Sequence, residues 1–65
     1  MVMTQREMMR RLVRRFGQDR ERVINAYAEA ERRGEVRRKR NKYGLSPEGY
    51  AAALWADGVT KGWFR

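Results

Sequence analysis

The chain has 65 residues, sixteen of them Lys or Arg against eight Asp or Glu, for a net charge of +8. Cys and His are both absent. Their absence excludes disulfides, thiolate metal sites, Cys or His nucleophile–base pairs and the usual acid–base residue of neutral pH. A chain this short buries only roughly 60% of the surface its unfolded form exposes, so it makes one small domain, residues 1–65, that depends on good packing.

Met1, Val2, Met3 and Thr4 run directly into Arg and Glu, and no apolar run reaches the length of a signal peptide or a membrane span. The expectation is a soluble, cytoplasmic chain. Thr4 stands three residues before Glu7, the spacing of a capping box, with Met3 and Met8 placed as a hydrophobic staple around it. Met8, Met9, Leu12, Val13 and Phe16 then form the stripe of an amphipathic first helix, and Gly17 supplies its stop.

Asp19 is the expected N-cap of a second helix, whose stripe holds Val23, Ile24, Tyr27, Ala28 and Ala30 before Gly34 ends it. With only Gly17 and Gln18 between them, the two helices should pack on each other. Ser46 and Pro47 mark a third helix as N-cap and first residue, with Leu45 and Tyr50 as its staple. Tyr50, Ala51, Leu54 and Trp55 are its predicted buried face and Gly58 its predicted terminator.

Residues 35–41 and 59–64 remain. Each has the length of one strand of a small ribbon that would pair Val36 with the neighbourhood of Val59 or Trp63. The alternative is an irregular tail whose Trp63 and Phe64 close the core, where Trp55 also belongs. The predicted class is mainly α, three short helices around one small core, with the two-stranded β ribbon as an optional addition.

Charge is distributed unevenly over these elements. Seven of the eleven residues 32–42 are basic, namely Arg32, Arg33, Arg37, Arg38, Lys39, Arg40 and Lys42, against the single acid Glu35. After Tyr43 the chain is neutral, because Lys61 and Arg65 offset Glu48 and Asp57. Dense positive charge attracts phosphate, since each neutralised phosphate releases condensed counterions. The segment between the second and third helices is therefore the predicted nucleic-acid contact. Asn41 is its candidate for a base edge and Tyr43 its candidate for stacking on an unpaired base. Arg10, Arg11, Arg14 and Arg15 recur along the first helix as a second set of phosphate contacts, unless Glu7, Glu29 and Glu31 neutralise them.

Catalysis has little to work with. Ser46 and Thr4 are committed to capping, and Glu48 and Asp57 stand too far apart along one helix to form a carboxylate pair. No catalytic residue, metal ligand or cofactor is expected.

The stretch 35–63, with Tyr50-Ala-Ala-Ala-Leu-Trp-Ala-Asp-Gly58 followed by Val-Thr-Lys-Gly-Trp63, resembles small basic helix-turn-helix and winged-helix-like modules of bacterial and phage nucleic-acid proteins. The resemblance implies DNA binding and a role in transcription regulation, with DNA ahead of RNA as ligand. It transfers no functional residue. The competing class is a protein-interaction module, such as a phage-encoded inhibitor or adaptor, whose arginines meet an acidic partner surface. A membrane-surface role for the first helix ranks behind both, because the core needs its apolar stripe. Oligomeric state, and whether the chain stands alone or begins something longer, are open at this level.

Overall fold

Thr4 opens the first helix by accepting a hydrogen bond from the Glu7 backbone N–H at 3.2 Å, which satisfies one of the otherwise orphaned amides of the first turn. In the structure, a computed structural model that describes residues 2–37 and 41–65, this helix is α1 (Gln5–Phe16), followed by α2 (Arg20–Arg32) and α3 (Pro47–Lys61). Asp19 and Ser46 cap the second and third in the same way, accepting from Arg22 N–H at 3.2 Å and Gly49 N–H at 3.1 Å. All three starts stand where the capping signals put them.

The core is built from one face of each helix. Met8, Met9 and Leu12 of α1 meet Val23, Ile24, Tyr27 and Ala30 of α2 and Ala51 of α3, with Val36 added from the linker. Tyr27, Met9 and Val23 are the largest fully buried side chains. The radius of gyration, 10.7 Å, is about the 11 Å expected of a folded chain this long. α3 lies chiefly against α2, and α1 touches α3 least.

Both α2 and α3 end in a turn that reverses the chain. After α2, Gly34 N–H donates to Glu31 C=O and Glu35 N–H to Ala30 C=O, both at 3.0 Å. After α3, Gly62 N–H donates to Val59 C=O at 3.2 Å and Trp63 N–H to Gly58 C=O at 2.9 Å. This paired pattern needs a left-handed residue at its corner, and Gly34 and Gly62 supply it at φ 73° each.

Gly58 does not terminate α3, which runs on to Lys61. It is buried inside the helix because the reversal at Gly62 lays Trp63 and Phe64 over it. A Cβ at position 58 would sit 2.7 Å from the Trp63 ring and 2.8 Å from that of Phe64. The glycine therefore serves a close approach, which offsets its helix cost of about 1 kcal/mol.

Neither the expected β ribbon nor a wing is formed among the described residues. Residues 59–61 are helical, so no strand exists for Val36 to join. Val36 instead makes a single parallel bridge with Met3, through Met3 N–H to Glu35 C=O at 2.9 Å and Arg37 N–H to Met3 C=O at 2.8 Å. At 4% exposed, Val36 is a core residue in a linker. The irregular tail that closes the core with Trp63 and Phe64 is the alternative that the structure adopts.

Candidate nucleic-acid interface

The i, i+4 spacing of Arg6, Arg10 and Arg14 sets them in one row along α1, each step rising about 6 Å. Arg11 and Arg15 form a second row beside it, and all five are exposed. None of them lies within ion-pair distance of a carboxylate among the described residues. Glu7 and Glu29, weighed as alternative partners for these arginines, do not come within ion-pair distance of them. Arg15 stacks over the ring of its neighbour Phe16, 5.4 Å from the centroid, and Arg11 reaches back to donate to Met3 Sδ at 3.7 Å. Arg6, Arg10, Arg11 and Arg14 line an open trough with Met3 and Thr4 at its upper end and one carboxylate, Glu7, in its wall beyond ion-pair distance of the arginines.

The arginines that close α2 are engaged differently. Arg32 donates from Nη2 to Glu48 Oε2 at 2.5 Å, across to the first turn of α3. The same guanidinium is 3.9 Å from Glu29, while Arg33 is 3.4 Å from Glu29 and 3.9 Å from Glu35. The hydrogen bond from Arg32 holds the Glu48 carboxyl below the usual carboxylate range, and the same bond raises the guanidinium further. These two basic residues already have anionic partners within the chain.

Further along the linker, Arg37 is exposed and its backbone is fixed beside Met3 by the bridge. Arg38, Lys39 and Arg40 lie outside the described residues. Asn41 uses both ends of its carboxamide on the loop: Nδ2 donates to Leu45 C=O at 2.7 Å and Oδ1 accepts from Leu45 N–H at 3.1 Å. A base edge has to compete with both bonds to reach it. Lys42 is exposed, and Tyr43 is 85% exposed, presenting its ring to solvent.

Met3 joins the two basic regions. Its backbone pairs with the linker at Val36 and Arg37, its sulfur accepts from Arg11, and it stands at the head of the α1 trough. The start of the basic linker and the arginine face of α1 are thus neighbours in space although they are far apart in sequence.

Several residues that shape this surface carry no clear sequence signal. Gln5 is buried and donates from Nε2 to the Tyr50 hydroxyl at 2.7 Å, tying the start of α1 to α3. Beside it the Tyr27 hydroxyl is buried with no hydrogen-bond partner in good geometry among the described residues, and burial first, then Tyr50 and Glu31, push its pKa up against a lowering influence of Gln5. Arg6 is legible only as the head of the i, i+4 row. The company that Trp63, Phe64 and Arg65 keep with Arg10 and Arg14 is a tertiary fact.

Among the described residues no three acidic side chains gather as a metal-binding group. No helix there is long and apolar enough to cross a membrane. Comparison with protein-family models, with curated proteins and with solved structures found no match for this chain.

Proposed function

We propose that the chain is a DNA-binding module that grips the phosphate backbone with the arginine face of α1 together with the basic segment between α2 and α3. One observation carries this reading: five exposed arginines on α1 have no carboxylate partner among the described residues. Charge left unneutralised at that density is costly for a lone fold through self-repulsion, and a polyanion relieves it. The bridge at Met3 and Val36 sets Arg37 beside the head of the α1 rows, which supports a footprint shared by that helix and the start of the basic segment.

Phosphate contacts of this kind position a duplex and carry little sequence information. The Asn41 bonds to Leu45 support limited base readout, because the side chain best suited to it is already occupied. The three residues Gly17, Gln18 and Asp19 between α1 and α2 have the connection length of a helix-turn-helix unit.

Titration of labelled duplex DNA at several salt concentrations tests the reading. Affinity should fall with a log–log slope of magnitude about 4 to 6 if roughly five to seven phosphates are neutralised. A slope near zero, or no binding at low salt, refutes it; capture of an acidic protein without DNA binding favours the interaction-module alternative.

A further inference from the structure

The lower end of the α1 arginine row opens into a second cleft of different chemistry. Arg10, Arg14 and Gln18 form one side of it; Trp63, Phe64 and Arg65, folded back by the turn at Gly62, form the other. Its void of about 330 Å³ lies at the small end of ligand-sized pockets, which run from about 300 to 1,000 Å³. That is room for one planar ring system with its substituents.

The aromatic wall is held in place. Trp63 and Phe64 meet edge to face at 89°, with centroids 6.5 Å apart, and both rest on the bare backbone of Gly58. Lys61 covers the Trp63 ring with its ammonium 5.8 Å from the centroid. Arg65 is drawn in as well: its Nε lies 3.3 Å from where a Cβ on Gly62 would be, so the side chain lies back over the turn at the rim of the cleft. Three arginines and two aromatic residues therefore line one space, and no Asp or Glu is among its lining residues.

This combination selects among anions. An acidic peptide satisfies the guanidinium groups and leaves the aromatic wall without a partner. Continuous duplex DNA keeps its bases stacked inside and offers the wall nothing. An unpaired nucleotide brings a planar base and a phosphate together, and base–aromatic contact with cationic neighbours is how single strands are held without sequence preference.

We infer that this cleft takes one unpaired nucleotide from a strand whose paired portion lies along α1, with the base against Trp63 and Phe64 and its phosphate between Arg10, Arg14 and Arg65. The inference rests on the DNA-binding reading and narrows its substrate class to duplex ends and junctions that carry a single-stranded segment.

The test uses the full chain and three hairpin duplexes: one blunt, one with a short thymidine overhang, and one whose overhang is an abasic sugar-phosphate of the same length. At equal salt, the thymidine overhang should tighten binding about fivefold or more over the blunt hairpin. The abasic overhang should recover at most about twofold, the electrostatic share of added phosphates. The Trp63 indole N–H should shift in ¹H–¹⁵N spectra of the unaltered protein with the thymidine overhang alone. Trp63→Leu and Arg65→Gln should each reduce the overhang gain and leave blunt affinity within about twofold, since neither residue belongs to the α1 trough. Because Trp63 packs on Gly58, Arg65→Gln and the indole shift decide the matter if Trp63→Leu does not fold.

Equal affinity for blunt and thymidine hairpins overturns the inference and leaves the DNA-binding reading standing. So does an abasic overhang as good as thymidine, or a gain that survives Arg65→Gln with no indole shift. If polyglutamate moves the indole and displaces the overhang as well as DNA does, the cleft belongs to an acidic protein partner and the inference is wrong. Failure of every hairpin to bind at low salt brings down the DNA-binding reading and this inference together.

Discussion

The arginines of α1 and those that close α2 are similarly crowded in sequence and differ in what the fold puts beside them. Arg32 and Arg33 lie among Glu29, Glu35 and Glu48, the last delivered by the first turn of α3. The five arginines of α1 meet sulfur, an aromatic ring or open solvent, and none comes within ion-pair distance of a carboxylate among the described residues. Positive charge in a sequence is thus not the same as positive charge on offer: tertiary neighbours decide how much of it remains for a partner. The densest basic run, residues 32–42, begins with two residues already engaged in ion pairs, whereas among the described residues the less dense helix has none so engaged.

Substituting Arg6, Arg10 and Arg14 together by Gln gives the largest expected effect. Every phosphate that no longer meets a cation lowers the salt slope by about 0.9, so the triple variant should show a slope smaller by roughly 3 units and affinity weaker by on the order of 100-fold at about 0.1 M salt. The matched pair, Arg32 and Arg33 to Gln, should change the slope by less than about 1. Binding isotherms across a salt series measure both. Equal effects in the two variants would erase the distinction between the two regions.

A second variant disturbs the end of the α1 row without removing charge. Gly58→Ala places a methyl where the Trp63 and Phe64 rings now lie, at 2.7 and 2.8 Å. The rings must move, and overpacking of this kind costs about 1 to 3 kcal/mol, more than the gain in helix propensity returns. Urea unfolding should show a lower midpoint, with the Arg32–Glu48 end of the molecule unchanged as judged by the acid titration of Glu48. A stabilised variant would show that position 58 is an ordinary helix residue and the aromatic cover merely adventitious.

These two variants also mark where sequence reading succeeds and where it stops. Thr4, Asp19 and Ser46 are legible as caps because a side-chain oxygen three residues before a backbone N–H is a local arrangement, fixed before any tertiary contact forms. The stripes of α1 and α2 are legible for the same reason, since a period near four maps directly onto one helix face. Gly58 and Gly62 show the limit. Both are glycines near the end of one helix, and only the packing of Trp63 and Phe64 decides which ends it and which is enclosed. Val36 likewise joins a β bridge with Met3, a partner distant in sequence that no periodicity marks. The candidate site follows the same division: the arginines of α1 can be found from their spacing, whereas the commitment of Arg32 to Glu48 and of Asn41 to Leu45 is tertiary or loop geometry that composition does not encode.

Asn41→Ala sharpens the contrast from the linker side. Two exposed hydrogen bonds to Leu45 disappear, each worth about 1 kcal/mol or less at such a position. The loop before α3 loosens, and affinity should drop about two- to fivefold to the same extent on every duplex sequence, with the salt slope unchanged. Competition binding against a panel of unrelated duplexes checks this. A loss confined to particular sequences would make Asn41 a base-reading residue and the linker more than a source of charge.

The smallest expected effect is a pH dependence that only one of the two regions should have. Glu48 is held below the ordinary carboxylate value by its hydrogen bond from Arg32, so in the folded state it gives up its proton more readily than in the unfolded chain. A carboxyl depressed on folding contributes stability above its unfolded value of about 4.3, and that contribution is lost as pH falls through the lower, folded value. Arg32 is shifted upward from a value already above the working range and adds no pH dependence there. Arg32→Gln should therefore lower the thermal midpoint slightly at neutral pH, with the difference from the parent chain closing in acid below the unfolded carboxylate value. Arg10→Gln, which breaks no ion pair, should show a difference that does not vary over the same range. Thermal unfolding of the three proteins between neutral pH and strong acid gives the comparison. A pH-dependent gap for Arg10→Gln would mean that a carboxylate does reach the α1 row, and the claim that its charge is free for a partner would then fail.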